Sequence, residues 1–417
     1  MKNIVTKKPL LILGTAEAVS GIGDWITMMA VLAMLVFRGG GGVAASSGIF
    51  LAGLVPTLIV SPLAGWLVDR VNRKTLLIGS QLLAGLVVSG LFFTTRLEMI
   101  YAILAVLAVV ISVVAPTRQA VIPDLVDRDD LTKANAFLQQ LAGLVKVFSP
   151  VLAGFVLSVM DPHQAVLFDA ASFFISAFVM TFLPSLPPHR NAAEVTSTSK
   201  TGVLETGNPF LVMRSIPQIR ILFITVFTAI LGIIGFDVLI SIYTRDVLLA
   251  GETFYGLTIS LVGIGSLVAT VLLMRRKANG NPWKDMTVGF GLLGVLPVAL
   301  VVAFQFDNVT LARNLLIGSC YIGGIGNGLV HVQVGTIMQL VTPSNILGRV
   351  GGWLQTVMVA SQLVGLLATP VLVPKYVSME TYFAGMCVLI GILLAYLIFF
   401  VLGKPGLNTA GTTADID

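Results

Sequence analysis

Long runs of apolar residues alternate along this chain with short polar segments. A helix needs roughly 20 apolar residues to cross the hydrocarbon core of a bilayer, and the chain holds twelve runs of about that length. They occupy residues 10–37, 44–68, 75–95, 98–120, 133–159, 164–184, 218–243, 254–274, 286–305, 312–338, 348–373 and 380–402. The pattern therefore predicts an all-α integral membrane protein with twelve transmembrane helices.

The composition also indicates a membrane location. Hydrophobic residues make up 56% of the 417 residues and charged residues only 11%, whereas a soluble domain carries roughly 25% charged residues. Lys2, Lys7 and Lys8 precede the first apolar run, as in a signal peptide. That run is too long for a signal sequence and no small-residue cleavage site closes it, so we interpret it as a retained first span.

The longest polar segment between runs divides the spans into two sets of six. We predict an N-terminal six-helix bundle over 1–184, a cytoplasmic linker over 185–217, a C-terminal six-helix bundle over 218–403 and a cytoplasmic tail over 404–417. The two halves show sparse matches, and a shift of 213 residues aligns Asp24 with Asp237. Parallel six-helix repeats are a known transporter architecture, with the substrate site between the halves near the midplane.

Basic residues are distributed unequally between the two sides of the predicted spans. Of the 25 Lys and Arg residues, 19 lie in segments on one side and 5 on the other, with Lys146 inside span 5. Because cytoplasmic loops are enriched in Lys and Arg, both termini are predicted to lie in the cytoplasm. The net charge of +5 then reflects orientation, and we infer no nucleic-acid partner from it.

Five charged residues fall inside predicted spans: Glu17, Asp24, Lys146, Asp169 and Asp237. A charge at the bilayer centre costs roughly 2.5–3.5 kcal/mol on insertion scales, so such residues are functional candidates by default. Asp24 and Lys146 share a predicted depth near the midplane and could pair, and Glu17 lies two turns from Asp24 on the same helix face. This arrangement suits a proton relay or a cation site, or alternatively a structural ion pair.

Other polar groups in the spans support weaker hypotheses. Asp169 lies near the outer end of span 6, where a helix cap or a packing partner is the expected role, and Asp237 lies in the outer half of span 7. Asn327 and His331 in span 10 are four residues apart and share a helix face. They could hydrogen-bond either a substrate or another helix.

The sequence argues against several other chemistries. Cys320 and Cys387 lie in apolar segments and indicate neither a disulfide framework nor a metal site. The glycine-rich stretch 323–328 follows no strand and has no adjacent Lys, so close helix packing explains it better than a nucleotide-binding loop. With no metal-ligand cluster and no nucleophile triad in the sequence, we predict neither an enzyme nor a bound cofactor.

The loop between spans 2 and 3 combines a carboxylate with basic residues. Asp69 stands at the C-terminal end of a predicted helix, where the helix dipole disfavours negative charge, and Arg70, Arg73 and Lys74 follow it. A latch between the two halves would compensate Asp69. The stretch from Gly65 to Lys74 fits the pattern G-x-x-x-D-R-x-x-R-K and resembles the signature of the major facilitator superfamily.

This resemblance implies the major facilitator fold, in which two pseudo-symmetric six-helix bundles work by alternating access. In the family, this Asp and Arg latch the cytoplasmic side near the start of span 11 in the outward-open state. Asp69 and Arg70 would take those roles here. Gly65, Arg73 and Lys74 complete the cytoplasmic gate motif.

Three further segments indicate a subgroup. Residues 17–24 resemble the Q-x-x-S-x-x-G-D pattern of span 1 in macrolide-efflux and enterobactin-exporter-like members, and residues 118–126 resemble their segment at the end of span 4. Residues 149–154 resemble a degraded antiporter motif, G-P-x-x-G-G. These segments add three candidate residues, Arg118, Pro150 and Gly154.

Two departures from the subgroup pattern leave the substrate class open. Glu17 stands where the pattern has Gln, and Lys146 adds a charge beside the antiporter-like motif. Drug, siderophore and lipid exporters share this scaffold. The extra charges could suit a zwitterionic or anionic substrate.

Together these features predict a secondary active transporter that exports an amphipathic or hydrophobic, drug-like small molecule by proton-coupled antiport, as in multidrug efflux. The predicted coupling and cavity residues are Asp24, Glu17, Lys146, Asp237, His331 and Asn327. A lipid, lysolipid or siderophore transporter of the same fold is the alternative, while a membrane enzyme, a receptor and a passive channel are disfavoured. We expect a monomer in the cytoplasmic membrane of a bacterium, driven by the proton gradient, with substrate, protons and membrane lipids as its partners and no cofactor or metal.

Overall fold

The computed structural model describes residues 8–68, 70–126, 131–186, 213, 216–275, 281–306, 308–342 and 347–399. Within these residues, twelve helical segments are long and apolar enough to cross a membrane. The prediction of twelve membrane-spanning helices is therefore confirmed. The predicted tail, most of the predicted linker and Asp69 lie outside the described residues.

Spans 1 to 6 begin and end close to the predicted bounds. They comprise Lys8–Leu32 with a π-helical turn Ala33–Phe37, Val43–Val68, Arg73–Ser89 with a 3₁₀ turn Gly90–Phe93, Leu97–Ile111 followed by Val114–Leu125, Leu131–Val159, and Pro162–Met180. Span 4 differs from the predicted single run because it consists of two helices. Pro116 has no N–H to offer the carbonyl of Ser112, and the Ser112 hydroxyl donates to the Val109 carbonyl at 2.6 Å.

Several of spans 7 to 12 begin at polar caps. They comprise Pro217–Asp246, Glu252–Arg275, Pro282–Ala303, Val309–Val341, Leu347–Leu372 and Met379–Leu397. The side chains of Asn281, Asn308 and Ser378 accept hydrogen bonds from main-chain N–H groups in the first turns of spans 9, 10 and 12. Such caps satisfy N–H groups that have no partner within the helix.

The chain divides into two compact units. The first unit holds Met1–Ser197 together with Ala250–Ser260, and the second holds Thr198–Leu249 together with Leu261–Asp417. The boundary between the units thus falls inside span 8. In the first unit, span 1 packs against spans 5 and 6, and span 2 packs against span 4.

Each unit has its own apolar core and an apolar outer surface. The core of the first unit includes Leu13, Leu77 and Met180, and that of the second includes Trp283 and Phe290. Large apolar side chains also point outwards, and these are among the most exposed: Ile59, Phe93, Met274 and Phe399. Exposed apolar surface of this extent requires a lipid environment instead of water.

The glycine-rich stretch of span 10 forms close helix contacts within the second unit. A Cβ atom at Gly324 or Gly328 would overlap main-chain atoms of span 8, and one at Gly326 would overlap the main chain of span 9. Only glycine allows the backbones to approach this closely, which is a common device in membrane helix packing. The interpretation of this stretch as a packing element is confirmed.

Candidate functional site

A cavity of about 560 Å³ lies among spans 1, 2 and 4 of the first unit. It is lined by Asp24, Thr27, Met28, Val31, Ile49, Gly53, Thr57, Leu104, Leu107, Ala108, Ile111, Ser112, Ala115, Pro116 and Gln119. Sites for drug-sized ligands are typically about 300–1,000 Å³, mostly apolar, and contain a few placed polar groups. Both the volume and the lining fit that description.

Asp24 is the one charged side chain among the described residues that line this cavity. It lies about 24 Å along span 1 from Lys8, at 1.5 Å per residue, and its side chain is exposed to the cavity. We find no hydrogen bond or ion pair to its carboxylate in the part of the chain that the structure describes. The Asp24 carboxyl group is therefore available to whatever enters the cavity.

Asp169 of span 6 lies behind Asp24 and is completely buried, with 0% of its surface exposed. The Thr27 hydroxyl donates to Asp169 Oδ2 at 2.6 Å, and the Ser172 hydroxyl donates to Oδ1 at 3.1 Å. Asp169 packs against Gly23, the residue that precedes Asp24 in span 1. Since Thr27 also lines the cavity, it connects the cavity with the buried carboxylate.

Of the two expected roles of Asp169, a helix cap or a packing partner, the structure supports the packing partner. Asp161 is the helix cap of span 6, because its side chain accepts a hydrogen bond from the main-chain N–H of His163. Asp169 instead lies two turns further along, where span 1 presses against span 6. A Cβ atom at Gly23 would overlap the Asp169 carboxylate and the Ser172 hydroxyl, so glycine is required for this contact.

The structure does not bring Lys146 and Asp24 together as a pair. Span 5 packs on span 1 through Leu141 and Val145, which contact the positions of Gly14 and Gly21. Lys146 is the next residue after Val145 and is turned about 100° around the helix, since 3.6 residues make one turn. Its side chain is exposed, and neither of the two residues forms a salt bridge with the other where the chain is described.

Glu17 pairs with a residue other than Lys146, which was the partner considered for Asp24. Arg118 Nη1 of span 4 lies 3.3 Å from Glu17 Oε2, so two of the predicted residues form an ion pair. The second oxygen, Oε1, is buried without a hydrogen-bond partner in the described part of the chain. Glu17 does not line the cavity.

Arg73 of the gate motif connects spans 3 and 4 at one end of the first unit. It is only 7% exposed, and its Nη1 atom donates to Asp124 Oδ2 at 2.6 Å and to the Ala120 carbonyl at 3.1 Å. Asp124 was not among the predicted site residues. A signal for it was present in the sequence, because an acid near the end of a span requires a partner.

Lys74 of the same motif fastens span 3 to the end of span 6. Its Nζ atom donates to the Thr181 and Leu183 carbonyls, each at 2.6 Å. These carbonyls follow the last helical turn and would otherwise have no partner within the helix. Arg70 is exposed, and Asp69 lies outside the described residues, so the predicted latch at Asp69 and Arg70 stays a prediction. Gly65 lies within the helix of span 2.

The antiporter-like motif of span 5 forms a packing surface within the first unit. The Thr253 hydroxyl donates to the Gly154 carbonyl at 3.1 Å, and a Cβ atom at Gly154 would lie 3.2 Å from Thr253 Cα. A Cβ atom at Gly256 would overlap the Pro150 carbonyl. The motif thus places span 5 directly against the first turns of span 8.

The remaining predicted residues belong to the second unit. Asn327 Nδ2 donates to Ser266 Oγ at 3.2 Å, and Ser266 Oγ donates to the Gly324 carbonyl at 3.0 Å. Asn327 therefore joins spans 10 and 8, which is the structural alternative for that residue. Asp237 is half-buried, His331 is exposed, and neither lines the cavity of the first unit.

Twelve helices of membrane-spanning length among the described residues, with a drug-sized cavity among spans 1, 2 and 4 of the first unit, are features of polytopic transporters. The sequence model of the Major Facilitator Superfamily matches residues 13–366. The chain belongs to this superfamily, and it is accordingly a transporter and not an enzyme. The two-bundle fold that the gate motif implied is the fold of this family.

Three bacterial relatives match different shares of the chain. An uncharacterized MFS-type transporter, YfiS of Bacillus subtilis, is 24% identical over 88% of this chain and 87% of its own. The staphyloferrin A transporter of Staphylococcus aureus is 26% identical over 60% and 64%. Macrolide efflux protein A of Streptococcus pyogenes is 28% identical over 40% and 42%.

Proposed function

We propose that this protein exports an amphipathic, drug-like small molecule in exchange for protons by alternating access, with Asp24 as the residue that holds the exchanged proton. One observation carries the proposal. The Asp24 carboxylate faces a largely apolar cavity of about 560 Å³ and has no hydrogen-bond or ion-pair partner in the described part of the chain. The other candidate acid of span 1, Glu17, is occupied by Arg118.

The physical argument concerns the cost of a bare charge. A carboxylate in the bilayer interior costs roughly 2.5–3.5 kcal/mol on insertion scales. A proton that binds Asp24 removes this cost when the cavity is empty, and a substrate that contacts the carboxylate removes it when the cavity is filled. Two ligands that relieve the same charge oppose each other's binding, and this reciprocal coupling is the requirement for an exchanger.

The relatives support export of a small molecule without fixing which one. Macrolide efflux protein A carries an antibiotic class in its name, and its match spans 172 residues. The staphyloferrin A transporter keeps a siderophore as the second candidate substrate, and a lipid or lysolipid is the third. We further propose that the protein is a monomer in a bacterial cytoplasmic membrane, with both termini in the cytoplasm and the proton gradient as its energy source, without cofactor or metal.

The test is proton movement in proteoliposomes that contain a pH-sensitive dye inside. A panel of amphipathic drugs, siderophores and lysolipids is added in turn, and the change in internal pH is recorded. We expect a substrate-dependent proton flux that is lost in Asp24→Asn. Proton-driven transport that persists unchanged in Asp24→Asn contradicts the proposal.

A matched control separates the loss of this carboxylate from a general effect of removing charge. Glu98 is an exposed acid in the first turn of span 4, and it does not line the cavity. Glu98→Gln should retain the flux. Substrate movement without proton flux in the unaltered protein would identify a facilitator or a lipid flippase instead.

A further inference from the structure

We infer that the cavity of the first unit selects lipophilic monocations, molecules with one fixed or protonated positive centre on an apolar body, and that it rejects organic anions of the same shape. The inference rests on the proposed transport function and narrows its substrate class. It is carried by the distribution of charge around the cavity.

The first step is the chemistry of the walls. Among the described lining residues, the polar groups other than Asp24 are neutral, namely Thr27, Thr57, Ser112 and Gln119. The rest of the lining is aliphatic, methionine, proline or glycine. A ligand therefore needs an apolar body to fill the site and can satisfy one full charge.

The second step is the sign of that charge. Asp24 contributes the one acidic group at the wall, and Asp169 contributes a second carboxyl group, packed against the neighbouring Gly23. The groups that donate to Asp169 are the neutral hydroxyls of Thr27 and Ser172. Neither carboxylate has a cationic partner in the part of the chain that the structure describes.

The third step is the position of the basic residues, of which the cavity lining contains none where the chain is described. Arg118 is held by Glu17, Arg73 by Asp124, and Arg38 by Asp161 and Glu252.

Lys74 is held by two carbonyls, and the exposed Lys146 is absent from the described lining. No positive side chain in the described lining can meet an anionic ligand, so the ligand itself must supply the positive charge.

The contact with Asp24 sets the size of the preference for a cation over an anion. A hydrogen bond or close contact to a charged group contributes about 1.5–3 kcal/mol, which corresponds to roughly 10- to 100-fold in affinity. An anion loses this contribution and also meets repulsion from the Asp24 carboxylate. A multiply anionic siderophore is therefore a poor ligand for this cavity, whereas a protonated amine or a quaternary cation is a good one.

The test uses two probes of nearly equal shape and opposite charge, tetraphenylphosphonium and tetraphenylborate. Equilibrium binding of each is measured on the purified full-length protein in nanodiscs at one fixed pH, without a proton gradient. We expect saturable binding of the cation and none of the anion. Equal binding of both probes, or preference for the anion, overturns the inference.

Three substitutions locate the binding. Asp24→Asn should weaken cation binding roughly 10- to 100-fold, while Asp24→Glu should largely retain it. Gly53→Leu should block binding by filling the cavity, because Gly53 lines it and a Cβ atom there meets nothing within 4 Å. Cation binding that survives both Asp24→Asn and Gly53→Leu places the cation elsewhere and overturns the inference.

The matched control for the steric variant is Gly79→Leu. Gly79 lies in span 3, is exposed and likewise has open space at its Cβ position, but it does not line the cavity. This variant should bind the cation normally. The binding assay uses no proton gradient, so it is independent of the flux assay in proteoliposomes. Cation binding without proton flux contradicts only the proposed exchange. Proton flux without cation selectivity contradicts only this inference.

Discussion

Glu17 and Asp24 are two acids seven residues apart on the same face of span 1, but their surroundings differ. Glu17 lies 3.3 Å from Arg118 of span 4 and is outside the cavity lining. Asp24 faces the cavity and has no ion-pair partner in the described part of the chain. A compensated acid joins two helices, whereas an uncompensated acid can bind and release a ligand. Acidic residues two turns apart on one helix face thus have two different roles.

The largest expected difference between the two acids is in transport. Asp24→Asn should reduce substrate-driven proton flux in proteoliposomes to background, because it removes the carboxylate that the cavity exposes. Glu17→Gln should retain most of the flux, because that acid does not line the cavity. If the two variants lose flux to the same degree, Glu17 also takes part in coupling and the comparison fails.

The second difference is in stability, which should decrease for the substitution of Glu17 but not for that of Asp24. Glu17→Gln leaves Arg118 without its ionic partner and should lower the free energy of unfolding by about 1–3 kcal/mol. Asp24→Asn breaks no hydrogen bond or ion pair in the described part of the chain and should leave stability unchanged or increase it. Thermal unfolding in detergent, followed for both variants beside the unaltered protein, measures this. A decrease for Asp24→Asn that matches the decrease for Glu17→Gln would mean that Asp24 has a structural partner.

A double substitution tests whether the ion pair itself is responsible. Glu17→Gln combined with Arg118→Gln should be less destabilising than the sum of the two single changes, because neither charge is then left alone. Coupling energies of contacting residues are typically about 0.5–3 kcal/mol. Strictly additive melting temperatures would show that the 3.3 Å contact contributes nothing measurable.

The smallest effect is expected at Arg38, which serves as a reference for a partly exposed ion pair. Its side chain is 44% exposed and contacts Asp161 at 3.3 Å and Glu252 at 2.8 Å. Exposed pairs contribute about 0–1 kcal/mol, so Arg38→Gln should lower the melting temperature by less than Glu17→Gln does. A larger decrease for Arg38→Gln would reverse the ranking of the two pairs.

The fold could be predicted from the sequence because it depends on a coarse property. Each span needs only a sufficiently long apolar run, and no detail of packing is required to find it. The helices of span 1 and span 10 accordingly begin and end within a few residues of the predicted bounds. The break in span 4 was missed because hydropathy does not register that Pro116 cannot complete the hydrogen bond of the preceding turn.

The partners of the buried charges could not be predicted in the same way. Shared depth made Lys146 a candidate for Asp24, but pairing also depends on how each helix is rotated, and span 5 turns Val145 towards span 1 instead. Asp169 was undervalued for the same reason, since only packing shows that Gly23 permits its burial. The spacing of Asp169 and Ser172, three residues apart on one helix face, was the available signal.

The hydrogen bond between Thr27 and Asp169 has a consequence for the synthesis of the protein. Its two residues are 142 positions apart in the chain, and at a synthesis rate of about 5–20 residues per second the interval between them is about 7 to 28 seconds. During that interval span 1 has left the ribosome before span 6 exists. During this interval Thr27 has no hydrogen bond to Asp169, so the contact between spans 1 and 6 forms only after most of the first unit has been synthesised.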